Sequence, residues 1–221
     1  MSRSQSAIII PAAGSGVRLG LGIPKALIEV SGETLIERAI RNLSEIAQTI
    51  IIAAPAGYEG EFRRVLPNPS IQIITGGKVR SESVANALKV LPNDIDFVLV
   101  HDAARAFTPI DVARRVLTAL HEGEQAVVPA VDVVDTIKVV DSSGYVSATP
   151  DRDTLRAIQT PQGFTREVLV AAHATGRDAT DDAALVATLG VRVKIVAGHA
   201  LARKITTADD LLWARELVVQ S

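Results

Sequence analysis

Ala7-Ile8-Ile9-Ile10-Pro11-Ala12-Ala13-Gly14-Ser15-Gly16-Val17-Arg18-Leu19-Gly20, with Pro24-Lys25 close behind, is the stretch from which the fold is read. Its apolar first part reads as a buried strand, and the chain then enters a loop of small residues carrying two cations. Gly14, Gly16 and Gly20 permit left-handed backbone and let N–H groups approach an anion, while Arg18 and Lys25 bring positive charge. The loop therefore has the character of a phosphate cradle, with an ordinary strand-to-helix turn as the plain alternative. It carries no G-x-x-x-x-G-K-[ST] string, and Gly14-x-Gly16 lacks the third glycine of G-x-G-x-x-G at its expected place. Both GTPase-like and dinucleotide-binding readings lose ground.

Composition narrows the class. The chain has 221 residues, 48% hydrophobic but only 3% aromatic, so its core must be built from Ile, Val, Leu and Ala, as suits parallel strands covered by helices. We expect one domain over residues 1–221. The scarcity of aromatic residues argues against nucleic-acid stacking platforms. A net charge of −2 gives no general attraction to nucleic acid or anionic lipid, so any positive site must be local. With no cysteine, disulfides, thiolate metal sites and a cysteine nucleophile are excluded. The polar Met1-Ser2-Arg3-Ser4-Gln5-Ser6 runs straight into the first strand, with no signal-peptide core or membrane span in view. A cytoplasmic location is expected.

Further strands are expected at 49–54, 71–74, 96–100, 126–131 and 191–196, and helices at 34–43, 84–91, 110–123, 166–173, 183–189 and after Thr207. This alternation implies right-handed βαβ units in a mostly parallel sheet, with ligands beyond the carboxyl ends of the strands. Three segments fall at such ends. In Gly76-Gly77-Lys78-Val79-Arg80-Ser81-Glu82-Ser83, Arg80 and Ser83 can face the first loop, whereas Ser81 reads as a helix N-cap. In His101-Asp102-Ala103-Ala104-Arg105, Asp102 suits a ribose hydroxyl or a triphosphate-bound magnesium ion, or else a structural pair with Arg105. His101 reads as structural. Thr180-Asp181-Asp182 reads as helix-start chemistry, with Thr180 capping. A β-hairpin is expected across 136–141 and 145–149, within an arm of about 133–152; being marginal alone, it should pack on another subunit.

Together these segments resemble the 2-C-methyl-D-erythritol 4-phosphate cytidylyltransferases. The matching strings are PAAGSGVRLG with PK, GGKVRSESV, VLVHDAAR, VDTIK, LRAIQTPQGF, TDDAALV and RKIT, in the family's order from residue 7 to about 212. The resemblance implies a Rossmann-like nucleotidyltransferase fold, a homodimer through hairpin arms, and transfer of CMP from CTP to 2-C-methyl-D-erythritol 4-phosphate with release of pyrophosphate and Mg2+ as cofactor. Neither nucleic acid nor membrane is an expected partner. Carried across, it makes Arg18, Lys25 and Lys204 catalytic. Pro11, Ala12, Ala13, Gly14, Gly77, Arg80, Ser83, Asp102 and Ala103 would be nucleotide-binding, with Asp102 also at the metal. Arg105, Thr136 and Arg152 would bind the acceptor, Thr136 and Arg152 from the other subunit's arm. A ribitol 5-phosphate cytidylyltransferase and a non-catalytic nucleotide sensor are the competing readings. The chain departs from the family pattern at Ala106, Ala202 and Ala208, and the missing amide at Ala202 is expected to loosen the loop that aims Lys204.

Overall fold

The computed structural model describes residues 5–14, 22–177 and 179–219. In chain order the elements are β1 (Gln5–Pro11), β2 (Glu29–Val30), β3 (Glu33–Thr34), α1 (Leu35–Leu43), β4 (Thr49–Ala54), α2 (Glu59–Val65), β5 (Ile71–Thr75), α3 (Arg80–Lys89), β6 (Ile95–Val100), α4 (Ile110–His121) and β7 (Ala126–Asp132). There follow β8 (Val139–Val140), β9 (Val146–Ala148), β10 (Arg156–Ile158), β11 (Gln162–Thr165), α5 (Arg166–Ala174), α6 (Asp182–Ala187), β12 (Lys194–Ala197) and α7 (Ala208–Val219). The main sheet runs β10-β7-β11-β6-β1-β4-β5, with β12 also paired to β7. This is the mostly parallel, helix-covered sheet expected.

β1 is central because it can be buried on both faces. Ile8 and Ile10 point into one apolar layer with Ile36, Ile40, Ile52, Phe62 and Val116, whereas Ala7 and Ile9 point into the other with Val84, Leu88, Val98 and Leu169. The period-2 alternation of a strand thus feeds two cores. Each fully buried Ile contributes about 1.5–3 kcal/mol of burial free energy. β1 pairs in parallel with β4 on one side and β6 on the other. From β1 the chain winds outward to β4 and β5, then crosses back to β6, so a crevice opens at the carboxyl ends of β1 and β6.

A third, smaller core lies to one side. Ile28, Val30, Leu35 and Ala106 pack there with Ile205, Leu211 and Ala214 of the last loop and α7. Phe107 and Trp213 meet edge-on beside it, with ring centroids 5.8 Å apart. Ala106, one of the departures from the family pattern, is fully buried in this core.

β11 is antiparallel to both β6 and β7. Its tight fit depends on Gly163, where an added Cβ would lie 2.4 Å from Val116 Cγ1 on α4. The expected hairpin forms, but its ladder is short, joining only β8 and β9 with an irregularity between Val139 and Val140. Among the described residues no third strand supports it, as befits a two-stranded ribbon that is marginal by itself. Asp141 Oδ1 organises its turn by accepting from Ser143 N and Tyr145 N at 2.9 and 3.0 Å. The last strand falls at β12, three residues later than its expected start at Val191. Among the described residues no helix is long and apolar enough to cross a membrane.

Candidate active site

A cavity of about 340 Å3 occupies the crevice, lined at the end of β1 by Pro11, Ala12, Ala13 and Gly14. The end of β6 supplies Asp102, Ala103 and Ala104, and the β5–α3 connection supplies Gly77, Lys78, Val79, Arg80 and Ser83. Lys25 and Ala26 join from the turn after the first loop, and Lys204 and Thr206 from the loop before α7. Lys25 and Lys204 therefore face one cavity. Arg18, Ser15, Gly16 and Gly20 lie outside the described residues.

Gly14 does not adopt left-handed backbone, and among the described residues nothing lies within 4 Å of where its Cβ would be. The constraint expected of it falls instead on Gly77, where a Cβ would sit 2.1 Å from Glu82 Cβ. That close approach folds the loop back onto α3, with Glu82 Oε2 accepting from Lys78 N at 2.7 Å. Ser83, fully buried, accepts from Gly77 N at 3.0 Å and donates to Val79 O at 3.1 Å. Its hydroxyl thus braces the loop that it also helps to line. The N-cap expected at Ser81 is corrected: α3 begins at Arg80 after Val79, which makes no side-chain cap.

Asp102 is the electrostatic centre of the cavity. Its carboxylate meets Lys204 Nζ at 2.7 Å and Arg80 Nε at 3.3 Å, so the pairing with Arg105 entertained from the sequence is replaced by two others. Burial alone would raise its pKa, but the adjacent Arg80 and Lys204 charges hold it well below the usual carboxylate range. Arg105 does not line the cavity. Its guanidinium donates to Ala202 O at 2.7 Å and Ile158 O at 3.1 Å, tying the loop before Lys204 to the body. The same loop is held by Ile205 N on Ala104 O at 2.8 Å and by Asp210, which accepts from Thr206 N and Thr207 N at 2.8 and 2.9 Å. These three anchors act where Ala202 offers no amide.

The QTPQ string locks this arrangement together. Thr160 Oγ1 accepts from Asp102 N at 3.1 Å and lies 3.0 Å from His101 Nδ1. His101 is fully buried, and burial pushes its pKa down to about 4, in keeping with a structural role. Gln159 bridges both backbone groups of His199, and Gln162 spans the start of α6 by bonding Asp181 Oδ2 and Ala183 N. Asp181, rather than Thr180, caps α6, accepting from Ala184 N at 2.8 Å. Asp182 is the first-turn acid of α6, as the helix-start reading expects. It is buried, with Arg80 NH1 at 2.6 Å from one oxygen and His173 Nε2 at 2.9 Å from the other. One sequence signal could have found it: a single helix N-terminus needs one cap, so adjacent acids leave a carboxylate to place.

Thr136 and Arg152 stand on the exposed arm and do not line this cavity. Arg152 donates to Val134 O at 3.0 Å and, with Asp132, Val133, Val134, Asp153 and Arg156, borders a second hollow at the base of the arm.

Comparison with known proteins places these features in company. The family model described as IspD, 2-C-methyl-D-erythritol 4-phosphate cytidylyltransferase, matches residues 6–220. A protein of that name from Saccharopolyspora erythraea is 48% identical, with 95% of this chain and 97% of the relative covered. Another, from Rhodococcus jostii, is 46% identical over 95% of this chain and 93% of its own length. The solved 2-C-methyl-D-erythritol 4-phosphate cytidylyltransferase of Thermus thermophilus superposes with a TM-score of 0.82 at 35% identity, covering 97% and 99% of the two chains. The 4-diphosphocytidyl-2C-methyl-D-erythritol synthase of Anaerococcus prevotii gives 0.87 at 29% identity, covering 98% and 96%.

Proposed function

The chain belongs to the 2-C-methyl-D-erythritol 4-phosphate cytidylyltransferase family, and we infer from this that it transfers CMP from CTP to 2-C-methyl-D-erythritol 4-phosphate, releasing pyrophosphate. The observation that carries the reading is the convergence of Lys25, Lys204, Arg80 and Asp102 from four separate segments on one cavity. The acceptor phosphate, with a second pKa of about 6, is already largely a dianion at neutral pH and needs no general base. That accounts for a site without cysteine and with His101 held as a buried structural group.

One acceptor oxygen attacks the α-phosphorus in line. A new P–O bond forms as the bond to the bridging oxygen of the β-phosphate breaks, and pyrophosphate leaves with that electron pair. Two mutually repelling anions must be brought together and charge around phosphorus stabilised, so the contribution of the protein is positioning and electrostatics. Lys25 and Lys204 supply cations from opposite ends of the chain, and Arg18 is assigned the same work. Pro11, Ala12, Ala13, Gly14 and Ala103 shape the nucleotide side together with Gly77, Arg80 and Ser83.

Among the described residues no group of three His, Cys, Asp or Glu side chains could cage a metal ion. Mg2+ usually keeps several waters and phosphate oxygens, so one hard carboxylate, Asp102, fits such an ion carried by the triphosphate. When bound it would neutralise phosphate charge. Because Thr136 and Arg152 do not line the cavity, we assign them to the acceptor site of a second copy. The exposed Val134, Val140, Tyr145 and Val146 support packing of the arm on that copy. Arg105 is better placed as a brace for the Lys204 loop than as an acceptor ligand.

The test is to incubate the protein with CTP, Mg2+ and 2-C-methyl-D-erythritol 4-phosphate and to identify the CDP-linked product by mass spectrometry, with ribitol 5-phosphate run in parallel. Product from ribitol 5-phosphate alone overturns the acceptor assignment. Lys25→Ala and Lys204→Ala should each lower kcat by about a hundredfold or more, the usual loss on removing one transition-state donor. Near-normal kcat in either would remove that lysine from the mechanism.

A further inference from the structure

We propose that Asp182, at the start of α6, is a positioning residue for CTP binding: buttressed by His173, it fixes the plane of Arg80 and so shapes the wall of the nucleotide cavity. Asp182 itself does not line the cavity, and its side chain is 2% exposed. Arg80, which does line it, is gripped at two different nitrogens, NH1 by Asp182 at 2.6 Å and Nε by Asp102 at 3.3 Å. A planar guanidinium bonded at two nitrogens has its tilt and its plane set together, whereas a single contact leaves a long side chain free to swing.

The two carboxylates differ in what they can do. Asp102 faces the cavity, where ligand groups can compete for it. Asp182 has Oδ1 committed to His173 Nε2 at 2.9 Å and Oδ2 committed to Arg80. Burial alone would raise its pKa, but the His173 hydrogen bond and the Arg80 charge together hold it low, so it stays ionised near neutrality. It is therefore a fixed anchor whose hold on Arg80 does not depend on the Arg80–Asp102 contact. A buried ion pair is by itself weak grounds for a stabilising role, and what gives this one its function is its place directly behind a cavity-lining side chain.

The proposal rests on reading the cavity as the CTP site, and the experiment separates the two. CTP is titrated calorimetrically into the wild type and into Asp182→Asn, with steady-state kinetics alongside. In Asp182→Asn the dissociation constant and KM for CTP rise about tenfold, the usual cost of losing a charged hydrogen-bond partner, while kcat and the acceptor KM move less than about threefold. In an Arg80→Ala background the same substitution adds less than about twofold, because an effect exerted through Arg80 disappears with it. His173→Leu, a second variant that keeps both members of the Arg80–Asp182 pair, weakens CTP binding by about threefold. Val186→Ala, a core change in the same helix, leaves CTP affinity as it is. Unchanged affinity in Asp182→Asn or His173→Leu, full additivity with Arg80→Ala, or an equal loss in Val186→Ala overturns the positioning role while leaving the nucleotide site intact. Failure of the wild type to bind CTP overturns both.

Discussion

Asp210 ought to govern both the stability of the last helix and the aim of Lys204. Its Oδ2 accepts from Thr206 N at 2.8 Å and from Thr207 N, Thr206 Oγ1 and Thr207 Oγ1 at 2.9 Å each. In return Asp210 N donates to Thr207 Oγ1 at 3.2 Å, closing a capping box at the start of α7. In Asp210→Ala the two hydroxyls can turn to other acceptors, but the two backbone N–H groups cannot. At about 1–3 kcal/mol for each unsatisfied donor, and nearer the lower figure because this loop is partly open to water, the loss is about 2–3 kcal/mol. For a chain of this size that lowers Tm by about 5–10 °C in a calorimetric scan. Asp210→Asn, which keeps an acceptor oxygen, should lose about half as much. The Asp210 carboxyl is held below its ordinary range by these bonds, which outweigh the opposing effect of burial. Its contribution is therefore fully present at neutral pH and fades only as the pH falls below about 4 towards the lowered native pKa. Because Lys204 sits just upstream, kcat in Asp210→Ala should drop about tenfold with little change in the CTP KM, the signature of a misaimed transition-state group. A Tm within about 1 °C of wild type would refute the energetic argument, and a lowered Tm with normal kcat would refute the link to Lys204.

Two further outcomes follow from the same geometry. Gly77→Ala places a Cβ against Glu82 and forces the loop outward, at a cost of about 1–3 kcal/mol. The CTP KM should rise about tenfold, and an unchanged value would show that the loop accommodates a side chain. Burial of His101 leaves the folded chain without a proton that the unfolded chain binds between about pH 6.5 and pH 4. Stability accordingly falls as the pH drops through that window, by about 3 kcal/mol for this group. Urea unfolding at several pH values should show His101→Gln escaping this part of the loss; a variant with the wild-type pH dependence would assign it elsewhere.

The fold was legible wherever burial imposes a period on the sequence. Ala7 to Ile10, Thr49 to Ala54 and the helical stripe through Leu35, Ile36, Ala39, Ile40 and Leu43 each have a single arrangement that hides their apolar groups. Other elements escaped for physical reasons. α2 buries only Phe62, so it has no stripe to detect. β11 reads as Gln-Gly-Phe-Thr, and its strand character comes from β6 and β7 on either side rather than from its own residues. In the cavity, Lys25 and Asp102 were legible as charges at strand ends. The partners of Asp102 were not, since no local pattern says that Arg80 and Lys204 reach one carboxylate. Asp182 and His173 were least visible, because a buried acid and a solvated one are the same letter.

The small third core carries a consequence for how activity is lost on warming. Ile28 follows the turn that bears Lys25, Ile205 follows Lys204, and both side chains insert into the same cluster with α7. Neither β1 nor β6, the strands at the centre of the large sheet, contributes to that cluster. Peeling of α7 from its seat is then a local opening that leaves most of the native structure standing, yet it unseats both cavity-lining lysines in a single event. Catalytic decay with rising temperature should therefore run ahead of the global melt, because the two cations share one hinge.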